Sequence, residues 1–288
     1  MASLWMLVAG FMFACMGVLV KLAAAFFSNT ELVFYRSLVG VITTFLVMRA
    51  YGMPLVTEHW KSHCWRGLSG LGGVLLFFYC ILQLPLAIAI SLNNTWPLFL
   101  AFLAMILLKE EFSWLLAGAL VVGFIGVIFL LRPTLAEGQW YLALIGIGSG
   151  LFAGIAHFHV RQLSELGESD WLTVFYFTLV CTVATGLWLT FTAFSAVSLQ
   201  SLTLALGIGV TATLAQLAIS RAHRGSNILI VGVLSYSSVL FAGLMDLFFW
   251  DARLPVSAWV GMGLIILGGL LSIRGIPVRN SSIVTLDD

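Results

Sequence analysis

The polar side chains that interrupt long apolar runs are the residues of this sequence with chemistry to offer. Asn93, Asn94, Thr95, Trp96 and Pro97 stand in succession inside one run, and Ser235, Tyr236, Ser237 and Ser238 inside another. An amide both donates and accepts hydrogen bonds, which suits a zwitterionic headgroup. Trp96 adds a flat apolar face with a single donor, and Pro97 frees a backbone carbonyl and can kink a helix. With Tyr79 and Gln216 from two further runs, the candidate cavity comprises Tyr79, Asn93, Asn94, Trp96, Gln216, Tyr236 and Ser237. The competing reading is structural: amides that only join neighbouring helices, and serines that bond their own backbone.

His157 and His159 titrate near neutral pH and suggest proton coupling, although two residues apart they face different sides of a helix. Lys21, Arg36, Glu31 and Asp246 map to one level, close to the ends of their runs. Long basic side chains there commonly reach out to water. The sharper expectation is a gate in which one of these cations pairs with Asp246 or Glu31. The sequence contains no Walker loop, HExxH or aspartate-rich run, and its four cysteines form no CxxC or Cys/His cluster, so no cofactor and no metal is expected.

The elements that must position these residues are membrane helices. Of 288 residues 61% are hydrophobic and only 9% charged, against about 25% charged in a soluble domain. Mean hydropathy is +1.09. A net charge of +1 provides no basic face for nucleic acid. Ten apolar runs occupy residues 4–26, 32–48, 67–84, 86–108, 114–131, 140–160, 171–194, 202–220, 228–250 and 258–273. Each has the length that crosses hydrocarbon as a helix. The third and fourth nearly merge, separated at Gln83, Leu84 and Pro85, where proline pushes its predecessor out of the helical region.

Loop cations set the orientation. With the N-terminus inside, the inner segments hold Arg49, Lys61, Arg66, Lys109, Arg161, Arg221, Arg224, Arg274 and Arg279, and the outer ones only Arg132 and Arg253. Both termini are then cytoplasmic.

The halves of the chain repeat at an offset near 140 residues. Val33-Phe34-Tyr35 matches Val174-Phe175-Tyr176, Leu98-Phe99 matches Leu240-Phe241, and the pair Gly118 and Gly126 matches Gly261 and Gly269. The expected division is a repeat over 1–135, a second over 136–275 and a cytoplasmic tail over 276–288. Five helices per repeat is an odd number, so the second unit is inverted in the membrane. Inverted repeats of this kind hold a substrate near the midplane in secondary transporters.

Residues 87–130 contain the Asn- and Pro-bearing helix, then Lys109-Glu110-Glu111-Phe112-Ser113, then a glycine-punctuated helix. This stretch resembles the EamA-type repeat, with a degenerate partner over 227–273 in which Asp251-Ala252-Arg253 replaces the acidic pair. Two such repeats resemble the drug/metabolite transporter superfamily, and within it the bacterial aromatic amino-acid exporter branch. The resemblance implies a secondary transporter, not an enzyme, that exports amino acids, aromatic or otherwise neutral, or similar small metabolites across a bacterial inner membrane by alternating access.

The expectation is therefore an all-α integral membrane protein of ten helices whose partners are a small-molecule substrate and the bilayer, as a monomer or homodimer. Sparse charge at mid-span favours an uncharged or zwitterionic cargo. A passive channel or an intramembrane enzyme are the alternatives, but no filter motif and no nucleophile constellation supports them.

Overall fold

The computed structural model describes residues 2–103, 114–131, 140–192, 194–224, 226 and 228–251, with short stretches at 255–257, 259–261, 263–264, 267 and 271. Among the described residues all regular structure is helical. A short 3-10 turn over Ala2–Leu4 leads into α1 (Trp5–Ala23), α2 (Asn29–Ala50), α3 (Trp60–Gln83), α4 (Leu86–Asn93), α5 (Trp96–Leu103) and α6 (Trp114–Leu131). The later part of the chain forms α7 (Trp140–Glu165), α8 (Asp170–Leu189), α9 (Leu199–His223), α10 (Ile228–Ser235) and α11 (Ser237–Trp250). Seven stretches among the described residues are long and apolar enough to cross a membrane: α1, α2, α3, α7, α8, α9 and the segment Ile230–Trp250. The tenth expected span and the Lys109-Glu110-Glu111 motif lie largely or wholly outside the described residues, as do Arg132, Arg253, Arg274, Arg279 and the tail.

Local signals set the helix ends. Ser28 accepts from the Glu31 backbone N–H while the Glu31 carboxylate accepts from that of Ser28, a reciprocal cap that starts α2. Ser169 and Ser198 cap α8 and α9. Leu84, ahead of Pro85, is extended at φ −124° and ψ 159°, and this separates α3 from α4.

The fourth and ninth runs are each one apolar stretch in the sequence, yet each is broken midway. The α4–α5 break falls at Asn94-Thr95 and the α10–α11 break at Tyr236. At both points backbone bonds tighten to the three-residue spacing: Thr95 N–H donates to Leu92 O, and Tyr236 N–H to Val233 O, each at 3.2 Å.

Packing is interlaced. The broad contacts are α3 on α7, α1 on α9 and α2 on α8, each joining a helix of the first half to one of the second. Close approach needs small residues. Gly146, Gly150 and Gly154 on α7 lie directly against Leu92, Thr95 and Phe99 around the α4–α5 break, so α7 presents a smooth face to a broken helix. The polarity is that of a membrane protein: Phe11, Ile42, Leu46, Leu144, Leu206 and Val210 point outward, whereas Arg36, Arg66, Thr44, Asn94 and Gln216 are inside.

Candidate functional site

A cavity lies where the two broken helices meet α1, α2, α3, α7, α8 and α9. Asn93, Asn94, Trp96 and Gln216 line it, as the sequence suggests, together with Arg36, Arg66, His157, Phe177 and Ser238. The Asn94 amide donates to Ile90 O at 2.9 Å and to the Ser238 hydroxyl at 2.7 Å, which ties α4 to α11. The Asn93 amide donates to Ser149 Oγ on α7 at 3.0 Å.

Three expected cavity residues are placed differently. Tyr79 is on the outer flank of α3, in a cleft with Leu71, Leu75, Leu76, Ile145 and Trp188. The cavity face of α3 runs through Arg66, Gly70, Gly73, Val74 and Phe77, and Tyr79 is out of phase with that spacing. Tyr236 fills the break between α10 and α11, fully buried with its ring against Gly123. The Ser237 hydroxyl returns to Leu234 O at 2.7 Å, and its neighbour Ser238 takes the cavity position.

The charged residues separate into two groups. Lys21 Nζ lies 3.9 Å from the Asp246 carboxylate and 4.7 Å from the Trp250 ring. Asp246 also accepts backbone N–H bonds from Ala87 at 2.7 Å and Leu86 at 3.3 Å, so it caps α4 from a different helix. Glu31 is not paired with either cation. Besides capping α2 it accepts from the Ser195 backbone at 2.6 Å and hydroxyl at 2.9 Å, fastening the α8–α9 loop.

Arg36 departs furthest from its expected place. Because α2 begins at Asn29 and not at residue 32, Arg36 sits about two turns, roughly 10 Å, inside the helix. It lines the cavity. Arg66, counted in the sequence as a loop cation, belongs to the second turn of α3 and faces the same space. Its Nη2 donates to Gln216 Oε1 at 2.7 Å. The Arg66 and Arg36 guanidinium groups lie 4.1 Å and 5.3 Å from the centroid of one ring, Phe177. The inner cavity is therefore cationic, contrary to the sparse mid-span charge inferred from the runs.

His157 and His159 part as helical phase requires. His159 approaches Gln162 Oε1 at 3.2 Å. His157 reaches the cavity, stacks on Trp96 at 3.9 Å and 5°, and its Nδ1 meets His223 Nε2 at 2.9 Å. His223, at the end of α9, carries no signal in the sequence because its partner lies 66 residues away.

The profile of the EamA-like transporter family matches residues 1–132 and again 140–274. A pseudopaline exporter of Pseudomonas aeruginosa strain UCBPP-PA14 is 30% identical over 260 residues, 90% of this chain and 90% of its own. A riboflavin transporter of Vibrio cholerae is 26% identical over 274 residues, 92% and 90% of the two chains. One solved crystal structure superposes with a TM-score of 0.80 at 16% identity, over 94% of this chain and 98% of that chain, which places the two in one fold.

Proposed function

The chain belongs to the EamA-like transporter family, and from that premise we propose that it exports amino acids or similar small metabolites by alternating access. The observation that carries the reading is the cavity, which is built by both halves of the chain at the meeting point of two interrupted helices. Discontinuous helices offer unpaired backbone groups and polar side chains to a substrate at the midplane. The reciprocal packing of α1 on α9, α2 on α8 and α3 on α7 supports two inverted repeats, over 1–135 and 136–275, and the double family match supports five spans in each, ten in all. Bacterial relatives and the loop cations support a bacterial inner membrane with both termini in the cytoplasm.

In this reading Asn93, Asn94, Trp96 and Gln216 bind cargo, and the Lys21–Asp246 pair closes the outer side. His157, with His223 as its partner, accepts the coupling proton. Arg36 and Arg66 line the cavity, which disfavours the neutral aromatic cargo that the family branch implies.

Reconstitution tests this directly. Proteoliposomes preloaded with an amino-acid panel should show saturable counterflow, altered by an imposed pH gradient. Linear, non-exchanging flux would instead identify a channel.

A further inference from the structure

Arg36 and Arg66 are 2% and 5% exposed, yet among the described residues neither faces a carboxylate. Among the described residues no Asp or Glu lines the cavity. Arg36 Nε and Nη1 and Arg66 Nε are buried with no hydrogen-bond partner. Four other cations do face carboxylates: Lys21 faces Asp246, Arg161 faces Glu165, and Arg221 and Arg224 share Asp170. A guanidinium stays charged under all physiological conditions, and a buried charge without a counter-ion is strongly unfavourable. The Phe177 ring partly compensates both cations, but it provides no acceptor for the free N–H groups.

We propose that the cavity's cargo is a small organic acid with two carboxylates, one for each of Arg36 and Arg66. The assignment rests on the cavity being the transport site. A guanidinium presents parallel N–H donors to the two oxygens of a carboxylate. Two of them neutralise a dicarboxylate, whereas a single carboxylate leaves one cation unmatched. The amide nitrogens of Asn93 and Asn94 are held by Ser149, Ile90 and Ser238, which leaves their carbonyl oxygens to accept from the rest of the cargo, and the amide oxygen of Gln216 holds Arg66 in place until a carboxylate arrives.

The test compares L-glutamate and glutarate with L-glutamine, which matches glutamate in size but lacks the second carboxylate. The acids should raise the melting temperature of the purified full-length protein and drive counterflow in proteoliposomes, with glutamine at least about tenfold weaker. Arg36→Gln and Arg66→Gln should abolish the preference for acid over amide. Arg36→Lys and Arg66→Lys should retain the preference with weaker binding, which keeps the test informative should the glutamine variants misfold. Equal responses to glutamate and glutamine, or a response to glutamine alone, overturn the dicarboxylate inference and leave the transporter reading standing. Acids that shift melting without counterflow overturn the cargo assignment together with the transporter reading on which it rests, and leave the two arginines as a binding site only. No response to either acid overturns the inference.

Discussion

The side-chain amide of Asn94, at the break between α4 and α5, donates to the hydroxyl of Ser238 at 2.7 Å, just past the break between α10 and α11. The two interruptions are thus joined by one hydrogen bond across 144 residues of sequence. Ser238 in turn donates to Ser235 O at 2.7 Å, so both partners also satisfy their own helices.

This bond should be measurable as a coupling. Asn94→Ala and Ser238→Ala should each destabilise the protein by about 1 kcal/mol. The double variant should lose less than the sum, leaving a coupling of roughly 0.6 kcal/mol, typical of interhelical bonds in membranes. Thermal unfolding of the four proteins in one detergent gives the cycle, and strict additivity would show the two breaks to be independent.

The glycine face of α7 makes a sharper steric prediction. A Cβ on Gly154 would stand 2.8 Å from Phe99 Cβ and 3.1 Å from Trp96 O, whereas one on Gly148 would meet only Leu76 at 3.6 Å. Gly154→Ala should therefore cost about 1–3 kcal/mol through overpacking. Gly148→Ala on the same helix should be neutral or stabilising by up to about 1 kcal/mol. Comparable melting temperatures for the two would remove the argument for close packing.

For the proposed outer gate, Asp246→Asn keeps an acceptor for the α4 amides but removes the charge that faces Lys21. A cysteine placed at Phe77, whose side chain lines the cavity, should then react faster with an impermeant maleimide from outside, in a background lacking the native cysteines. An unchanged labelling rate would mean that this ion pair does not close the cavity.

Proton coupling is proposed for His157, with His223 as its partner. His223→Gln should remove most of the response of counterflow to a pH gradient while cargo still exchanges at symmetric pH. His159→Gln, on the other face of α7, should leave the response intact. If the two variants behave alike, the paired imidazoles are structural.

The reciprocal cap of α2 predicts a stability effect only. Ser28→Ala should cost about 1 kcal/mol by leaving an N-terminal N–H unsatisfied. Melting temperature reports it, and counterflow per folded molecule should be unchanged.

The all-helical, membrane-spanning class is legible in the sequence because the length of an apolar span is a local property. The proline-driven end of α3 falls at Leu84, and the Asn-rich stretch does enter the cavity. What is not legible depends on helical phase and on partners far along the chain. Tyr79 is one residue from the buried Phe78, and that single step turns it to the outside. A start of α2 three residues earlier than the apolar run indicates carries Arg36 from the rim into the cavity. The pairing of His157 with His223, and of Asp246 with the α4 amides, joins elements that no local pattern relates.

The second partner of Asp246 has a bearing on the kinetics of such a carrier. Should Lys21 swing away, the carboxylate keeps two backbone N–H donors and the positive end of α4. The lone lysine, already 23% exposed, can turn to water. Neither ion is stranded in hydrocarbon in the separated state, so parting and rejoining are of similar cost. If this pair is the proposed outer gate, such a latch would cycle on thermal energy alone, and the cargo rather than the lock would set the rate of each turnover.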